Sequence, residues 1–122
     1  MGKRVLIADN EPNIVVSLEF LMEEAGFEVK VAANGQEALD LVGSFRPDLV
    51  LLDIMMPVKN GYEVCQILKS DPATRAVKVV MLSAKGRDVE VAKGLELGAD
   101  AYVTKPFSTR ELVAQIRAML DG

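Results

Sequence analysis

The chain has 122 residues, a mass of 13.2 kDa and a formal net charge of −4, and half of its residues are hydrophobic. That bounds it to one folded domain, residues 1–122, with one core, and its acidity excludes direct nucleic-acid binding by this chain. A single Cys, no His, no apolar run long enough to span a bilayer and no signal peptide exclude an internal disulfide and the imidazole-based sites, and point to a cytoplasmic protein away from the membrane.

The apolar pattern changes period along the chain. Val5 to Ala8 is a continuous apolar run, read as a buried strand, and Asp9-Asn10 follows it. A first helix begins near Pro12, turns Ile14, Leu18, Leu21, Met22 and Ala25 inward, and stops at Gly26. Glu28 to Val31 alternates polar and apolar, as a half-exposed strand does. Asn34 caps a second helix with Ala38, Leu39 and Val42 inward. Leu49 to Leu52 is again a continuous strand, closed by Asp53. Pro57 and Gly61 bound a loop before a third helix, with Val64, Ile67 and Leu68 inward and Cys65 as a small buried hydrophobe. Val77 to Leu82 is the fourth strand, followed by Ser83. A fourth helix runs from Arg87 to Leu97 and ends at Gly98. Ala101 to Thr104 is the fifth strand. Lys105-Pro106 suggests a fixed turn, for which a cis bond is one option. Ser108 and Glu111 form a capping box for a fifth helix, whose inner face is Leu112, Ile116 and Leu120.

Five alternating strand-helix units imply a parallel sheet with helices on both faces. The continuous apolar strands are the first, third and fourth; the more polar second and fifth belong at the edges. The predicted fold is therefore an α/β three-layer sandwich of the flavodoxin-like (βα)5 kind, with strand order 2-1-3-4-5. In such a sheet, residues past the strand carboxyl ends share one crevice.

That crevice would gather Asp9, Asn10, Asp53 and Lys105. Oxygen ligands suit Mg²⁺, an ammonium suits an incoming phosphoryl group, and a carboxylate can accept that group as an acyl phosphate. The first loop is acidic and has no Gly, so it would repel a bare phosphate; a cation must bind first. Each residue also has a plainer role. Asn10 or Glu11 before Pro12 would serve as a helix cap, Ser83 as a cap or turn residue, and Lys105 as a solvated base. Tyr102 would serve as an ordinary half-buried aromatic, and Met55 and Met56 as packing. Val89, Val91 and Leu97 form either a broad core stripe or a contact face on the fourth helix.

Taken together, the segments 5–12, 47–57 with Gly61, 82–84 and 98–107 resemble those of a response-regulator receiver domain, of the chemotaxis-regulator-like kind, the phospho-acceptor module of two-component signalling. The resemblance covers essentially the whole chain. It implies that Asp53 is phosphorylated. It also implies that Asp9, Asn10, Asp53 and the Met55 backbone carbonyl hold Mg²⁺, with Mn²⁺ as the alternative ion. Ser83 and Lys105 would bind the phosphoryl oxygens with help from the Ala84 amide, and Ser83, Tyr102 and Pro106 would form the switch. Met55 and Lys85 would flank the site and modulate hydrolysis. The implied partners are a sensor histidine kinase or histidine phosphotransfer protein, and an output protein or C-terminal effector domain. The chain would be a monomer or a weak phosphorylation-dependent dimer that catalyses its own phosphorylation and dephosphorylation.

Three departures stand out. The family usually has an acid where Asn10 stands and Thr where Ser83 stands. The winged-helix subgroup has charged residues where Val91, Ala101 and Gln115 stand, which speaks against its salt-bridged dimer. The rival reading is a phosphorylation-independent, receiver-like binding module. An aspartate-nucleophile phosphatase would want an acid at Met55, and a flavin carrier would want aromatics and a Gly-rich first loop.

Overall fold

A computed structural model describes residues 2–84 and 88–121. The strands are β1 (Arg4–Ala8), β2 (Glu28–Ala32), β3 (Leu49–Asp53), β4 (Lys78–Ser83) and β5 (Ala101–Thr104). The helices are α1 (Pro12–Glu24), α2 (Gly35–Phe45), α3 (Gly61–Ser70), α4 (Asp88–Glu96) and α5 (Thr109–Asp121). The strands pair in parallel in the order β2-β1-β3-β4-β5, which is the predicted topology.

Strand side chains alternate between faces, and both faces are covered. Leu6, Ala8, Val50, Leu52, Val79 and Met81 meet Ala38 and Val42 of α2 and Val64, Cys65 and Leu68 of α3. Val5, Ile7, Leu49, Leu51, Val80 and Leu82 meet Leu18 and Met22 of α1 and Leu112 and Ile116 of α5. These are the two apolar seams of a three-layer sandwich. Each fully buried Leu or Ile in them contributes about 1.5–3 kcal/mol. The register sets Ala8 beside Leu52, Asp53 beside Leu82 and Ser83 beside Thr104. The carboxyl ends of four strands are thereby brought level.

Helix entry follows local chemistry. Asn34 caps α2 by accepting from the Glu37 N–H at 2.9 Å. Asn60 and Glu63 make a reciprocal capping box on α3 that the sequence reading passed over. On α5, the Glu111 N–H donates to Ser108 Oγ at 3.3 Å. Gly61 is needed where α3 meets β3, because a Cβ there would lie 2.6 Å from the Asp53 carbonyl oxygen.

Two expectations fail. Ile67 is 43% exposed, because Cys65 rather than Ile67 completes the buried stripe of α3 with Val64 and Leu68. Met56 packs in the core as expected, but Met55 is 64% exposed beside Asp53 and packs against little. Lys85, the Arg87 start of the fourth helix and the side chains of Val89 and Val91 lie outside the described residues.

Candidate functional site

Ladder hydrogen bonds continue past the strand ends and fix where the loops begin. The Asp9 N–H donates to the Ala32 carbonyl (3.2 Å), the Ile54 N–H to Leu82 (3.1 Å), and the Lys105 N–H to Ser83 (2.7 Å). Asp9 and Asp53 then repeat one local motif, in which a carboxylate accepts from the backbone two residues on. Asp9 Oδ1 takes the Glu11 N–H at 2.9 Å, and Asp53 Oδ1 takes the Met55 N–H at 3.2 Å. Asp9 is 1% and Asp53 3% exposed, so two carboxylates are nearly buried side by side.

Among the described residues, one cation faces them. Lys105 Nζ bonds Asp9 Oδ2 and Glu11 Oε1, both at 3.1 Å, and lies 3.6 Å from Asp53 Oδ1. The ammonium thus lies nearest Asp9 and Glu11, faces Asp53 as well, and is largely withdrawn from water. Burial pushes the Asp53 carboxyl above its ordinary pKa, and the neighbouring Asp9 charge adds to that; Lys105 and the Met55 N–H offset only part. Burial alone would lower the Lys105 pKa, but Asp9, Glu11 and Asp53 together raise it above the ordinary lysine value. The ammonium stays charged, and among the described residues the pocket keeps more negative than positive charge.

The Asn10 amide, with its nitrogen turned inward, donates to Asp53 Oδ2 at 3.3 Å and to the Met55 carbonyl at 3.2 Å. The capping role open to Asn10 and Glu11 is not taken up, since α1 has no side-chain cap. Glu11 was not singled out as a site residue from the sequence. Its place directly after Asp9-Asn10 put it next to the crevice but left open whether it would cap α1 or bond Lys105.

Carboxylate oxygens of Asp9, Glu11 and Asp53 lie within 4.8 Å of one another and could hold a metal ion. With the Met55 carbonyl they form an all-oxygen set, which suits a hard divalent cation. Ser83, 2% exposed, ends β4 beside this cluster, and Ala84 follows it. Pro106 follows Lys105 through a cis bond. Tyr102 stands apart from the carboxylates, half-buried against the face of the sheet under α4. The loop between β3 and α3 turns sharply at Val58, whose φ is 70°, with the Lys59 N–H donating to the Pro57 carbonyl at 2.8 Å.

Comparison with known proteins gives a consistent result. The family model described as "Response regulator receiver domain" matches residues 5–117. Over 120 residues the chain is 46% identical to the DNA-binding response regulator MtrA of Mycolicibacterium smegmatis, covering 98% of this chain and 51% of the relative. The chain thus spans about half the length of that relative. A CheY-like response regulator receiver domain protein of Methanospirillum hungatei superposes with a TM-score of 0.92 at 30% identity, over 99% of this chain and 95% of the other. The BeF3-activated receiver domain of DrrB superposes with a TM-score of 0.91 at 30% identity, over 100% of both chains.

Proposed function

Because the chain belongs to the response regulator receiver domain family of two-component signalling, we propose that it accepts a phosphoryl group on Asp53 from a phosphohistidine. The donor would be a sensor histidine kinase or a histidine phosphotransfer protein in the cytoplasm. One observation carries this reading. A nearly buried carboxylate ends a central strand, with a second carboxylate beside it and one ammonium 3.6 Å away. The activation of a structural neighbour by BeF3 supports it.

An Asp53 oxygen attacks phosphorus in line; the P–N bond breaks, and its electron pair leaves with the imidazole, which takes up a proton. Burial and Asp9 make the Asp53 carboxylate more basic and so a better nucleophile. Lys105 shifts from Asp9 and Glu11 toward the phosphoryl oxygens, and the Ser83 hydroxyl and Ala84 amide donate to them. Asp9, Asp53, the Met55 carbonyl and Asn10 would hold Mg²⁺, or Mn²⁺ in its place. When bound, the ion supplies positive charge to the carboxylates and the phosphoryl oxygens alike. Asn10 donates to the same two oxygens the ion would draw on, so it must present its amide oxygen instead. An apolar groove lined by Ile14, Leu21, Pro106 and Phe107 opens beside Lys105 and offers the donor protein a docking surface.

The acyl phosphate draws Ser83 toward it, and Tyr102, with Pro106 beside it, responds by turning. The surface of α4, β5 and α5 changes for an output protein or C-terminal effector domain. Nucleic-acid contact, as the relative's name implies for that protein, is not assigned to this acidic domain. Exposed Met55 offers no polar group to orient a hydrolytic water, so the phosphoprotein is long-lived.

Intact mass after incubation with Mg²⁺ and acetyl phosphate tests the reading. One added phosphoryl group on the wild type, and none on Asp53→Asn, is the expected result. The Asn10 amide sitting on Asp53 and Met55 favours a second reading, a phosphorylation-independent binding module. An unmodified, folded wild type would select it.

A further inference from the structure

The two glycines of α2 differ in what surrounds them. Gly43 is open, and a methyl there would meet nothing within 4 Å. Gly35, at the first helical position, is buried against the loop between β3 and α3. A methyl carbon on Gly35 would fall onto the Lys59 carbonyl oxygen, 2.6 Å from Lys59 Cβ and 2.7 Å from the Lys59 carbonyl carbon. The oxygen and the carbonyl carbon are backbone and the Cβ is fixed to it, so no side-chain rotation makes room. The Gly35 N–H, one of the donors that a helix start leaves unpaired, donates to the Pro57 carbonyl at 3.4 Å.

The loop pressed on Gly35 is the one that carries the site. It leaves β3 at Asp53, and the Gly61 N–H closes its neck by donating to the Ile54 carbonyl at 2.9 Å. Within it, the Met55 N–H donates to Asp53 Oδ1, and the Met55 carbonyl turns toward Asn10 and the carboxylates. Further on, Val58 is held at a φ of 70°, a conformation that is costly for a β-branched residue and persists only where neighbours impose it. Val58 is 74% exposed, so its own side chain does not hold the turn. Met56, buried in the core, fixes the near side of the loop, and Gly35 backs the far side. The start of α2 is itself anchored. Glu37 bonds the Ala33 N–H and the Asn34 side chain, and Ala38 is fully buried. A side chain at position 35 would therefore displace the loop rather than the helix.

We propose that Gly35 is a positioning residue of the cation site: by leaving room for the Lys59 backbone it holds the turn that sets the Met55 carbonyl beside Asp53. The consequence for the cation rests on the function proposed above; the backstop itself rests on the contacts. The space that glycine leaves on α2 is thus part of the site on β3, although Gly35 touches no ligand.

The chain has no Trp, so backbone amide resonances report both the loop and the ion. Without metal, Gly35→Ala should shift the Met55 and Lys59 amides, and Gly43→Ala should leave them in place. On titration with Mg²⁺ alone, Gly35→Ala should bind about tenfold more weakly, as expected when a group that supports a metal ligand is disturbed, while Gly43→Ala should match the wild type. Unmoved loop amides in folded Gly35→Ala overturn the backstop. Moved amides with unchanged Mg²⁺ affinity overturn the positioning role. Val58→Pro carries the test if Gly35→Ala does not fold, because proline cannot adopt a φ of 70° and the side chain is exposed. It too should weaken Mg²⁺ binding, and unchanged affinity overturns the proposal. Where both variants fold, each releases the same turn, so their losses should not add in the double variant; additive losses overturn the shared role. A wild type that binds no Mg²⁺ sinks the cation reading of the site, and the metal-free amide shifts still decide the backstop.

Discussion

Lys69 and Lys105 each bring a mostly buried ammonium to a carboxylate about 3 Å away, at different places on the sheet. The difference is in what else they meet. Lys69 Nζ bonds Asp100 Oδ2 at 3.0 Å, the Val77 carbonyl at 2.6 Å and the Arg75 carbonyl at 3.1 Å, and Asp100 also takes the Val79 N–H at 2.9 Å. There one positive charge meets one negative charge, and neutral dipoles fill the remaining positions. Lys105 meets Asp9, Glu11 and Asp53, three carboxylates on one ammonium. The first site is complete as it stands and pins α3 to the start of β5. Among the described residues the second has a negative excess, which a further cation would neutralise. The same residue types thus give a rivet in one place and a binding site in the other, and charge balance separates them.

The largest expected effect comes from breaking the rivet. Lys69→Met leaves Asp100 and the Val77 carbonyl without their cation, and should lower stability by about 2–3 kcal/mol. Mg²⁺ should not restore it. Denaturant unfolding with and without the ion checks both points. Next in size, Asn10→Asp adds a charge to the site that already has an excess. It should tighten Mg²⁺ binding about tenfold, roughly 1.4 kcal/mol; equal affinities by titration would remove Asn10 from the cation site. The third change acts through pH. Burial and Asp9 raise the Asp53 pKa in the folded state above its unfolded value, so the folded protein binds the proton more readily. Charged Asp53 therefore opposes folding at neutral pH, and that opposition fades as pH falls through its folded pKa toward the ordinary carboxylate range. Asp53→Asn should raise Tm at neutral pH in the absence of Mg²⁺, with the gain shrinking on acidification. No such rise would mean that Lys105 already balances the pocket. The smallest effect is expected at Val58, a β-branched residue held at a φ of 70°. Val58→Gly should relieve strain and stabilise by up to about 1 kcal/mol, the larger unfolded-chain entropy of glycine taking back the rest. A loss of stability would show that the turn is unstrained.

The parts of this structure that depend on local periodicity were legible in the sequence. Val5–Ala8 and Leu49–Leu52 read as buried strands because both faces of the sheet are covered, and Glu28–Val31 read as an edge because only one side is. Strand order followed from that contrast, and the order alone brought Asp9, Asn10, Asp53 and Lys105 together. What depends on rotation and on distant partners was not legible. The spacing of Val64, Ile67 and Leu68 fits a buried stripe, yet α3 is rolled so that Cys65 takes the inner place and Ile67 the outer. Asn60 and Glu63 carried the signature of a capping box and could have been read. The Lys69–Asp100 pair joins the last turn of α3 to the residue before β5, 31 positions on, and has no local signal. Glu11 could cap α1 or bond Lys105, and only the folded position of Lys105 decides it.

The most direct measurement is the thermal shift given by Mg²⁺ with beryllofluoride on four proteins: wild type, Lys69→Met, Lys105→Met and Asp53→Asn. A site defined by excess negative charge at Asp53 and Lys105 predicts that wild type and Lys69→Met gain similar increments, while Lys105→Met and Asp53→Asn gain little. An unmoved wild type, or an equal gain in Asp53→Asn, would contradict the assignment of this pocket as the phosphoryl site.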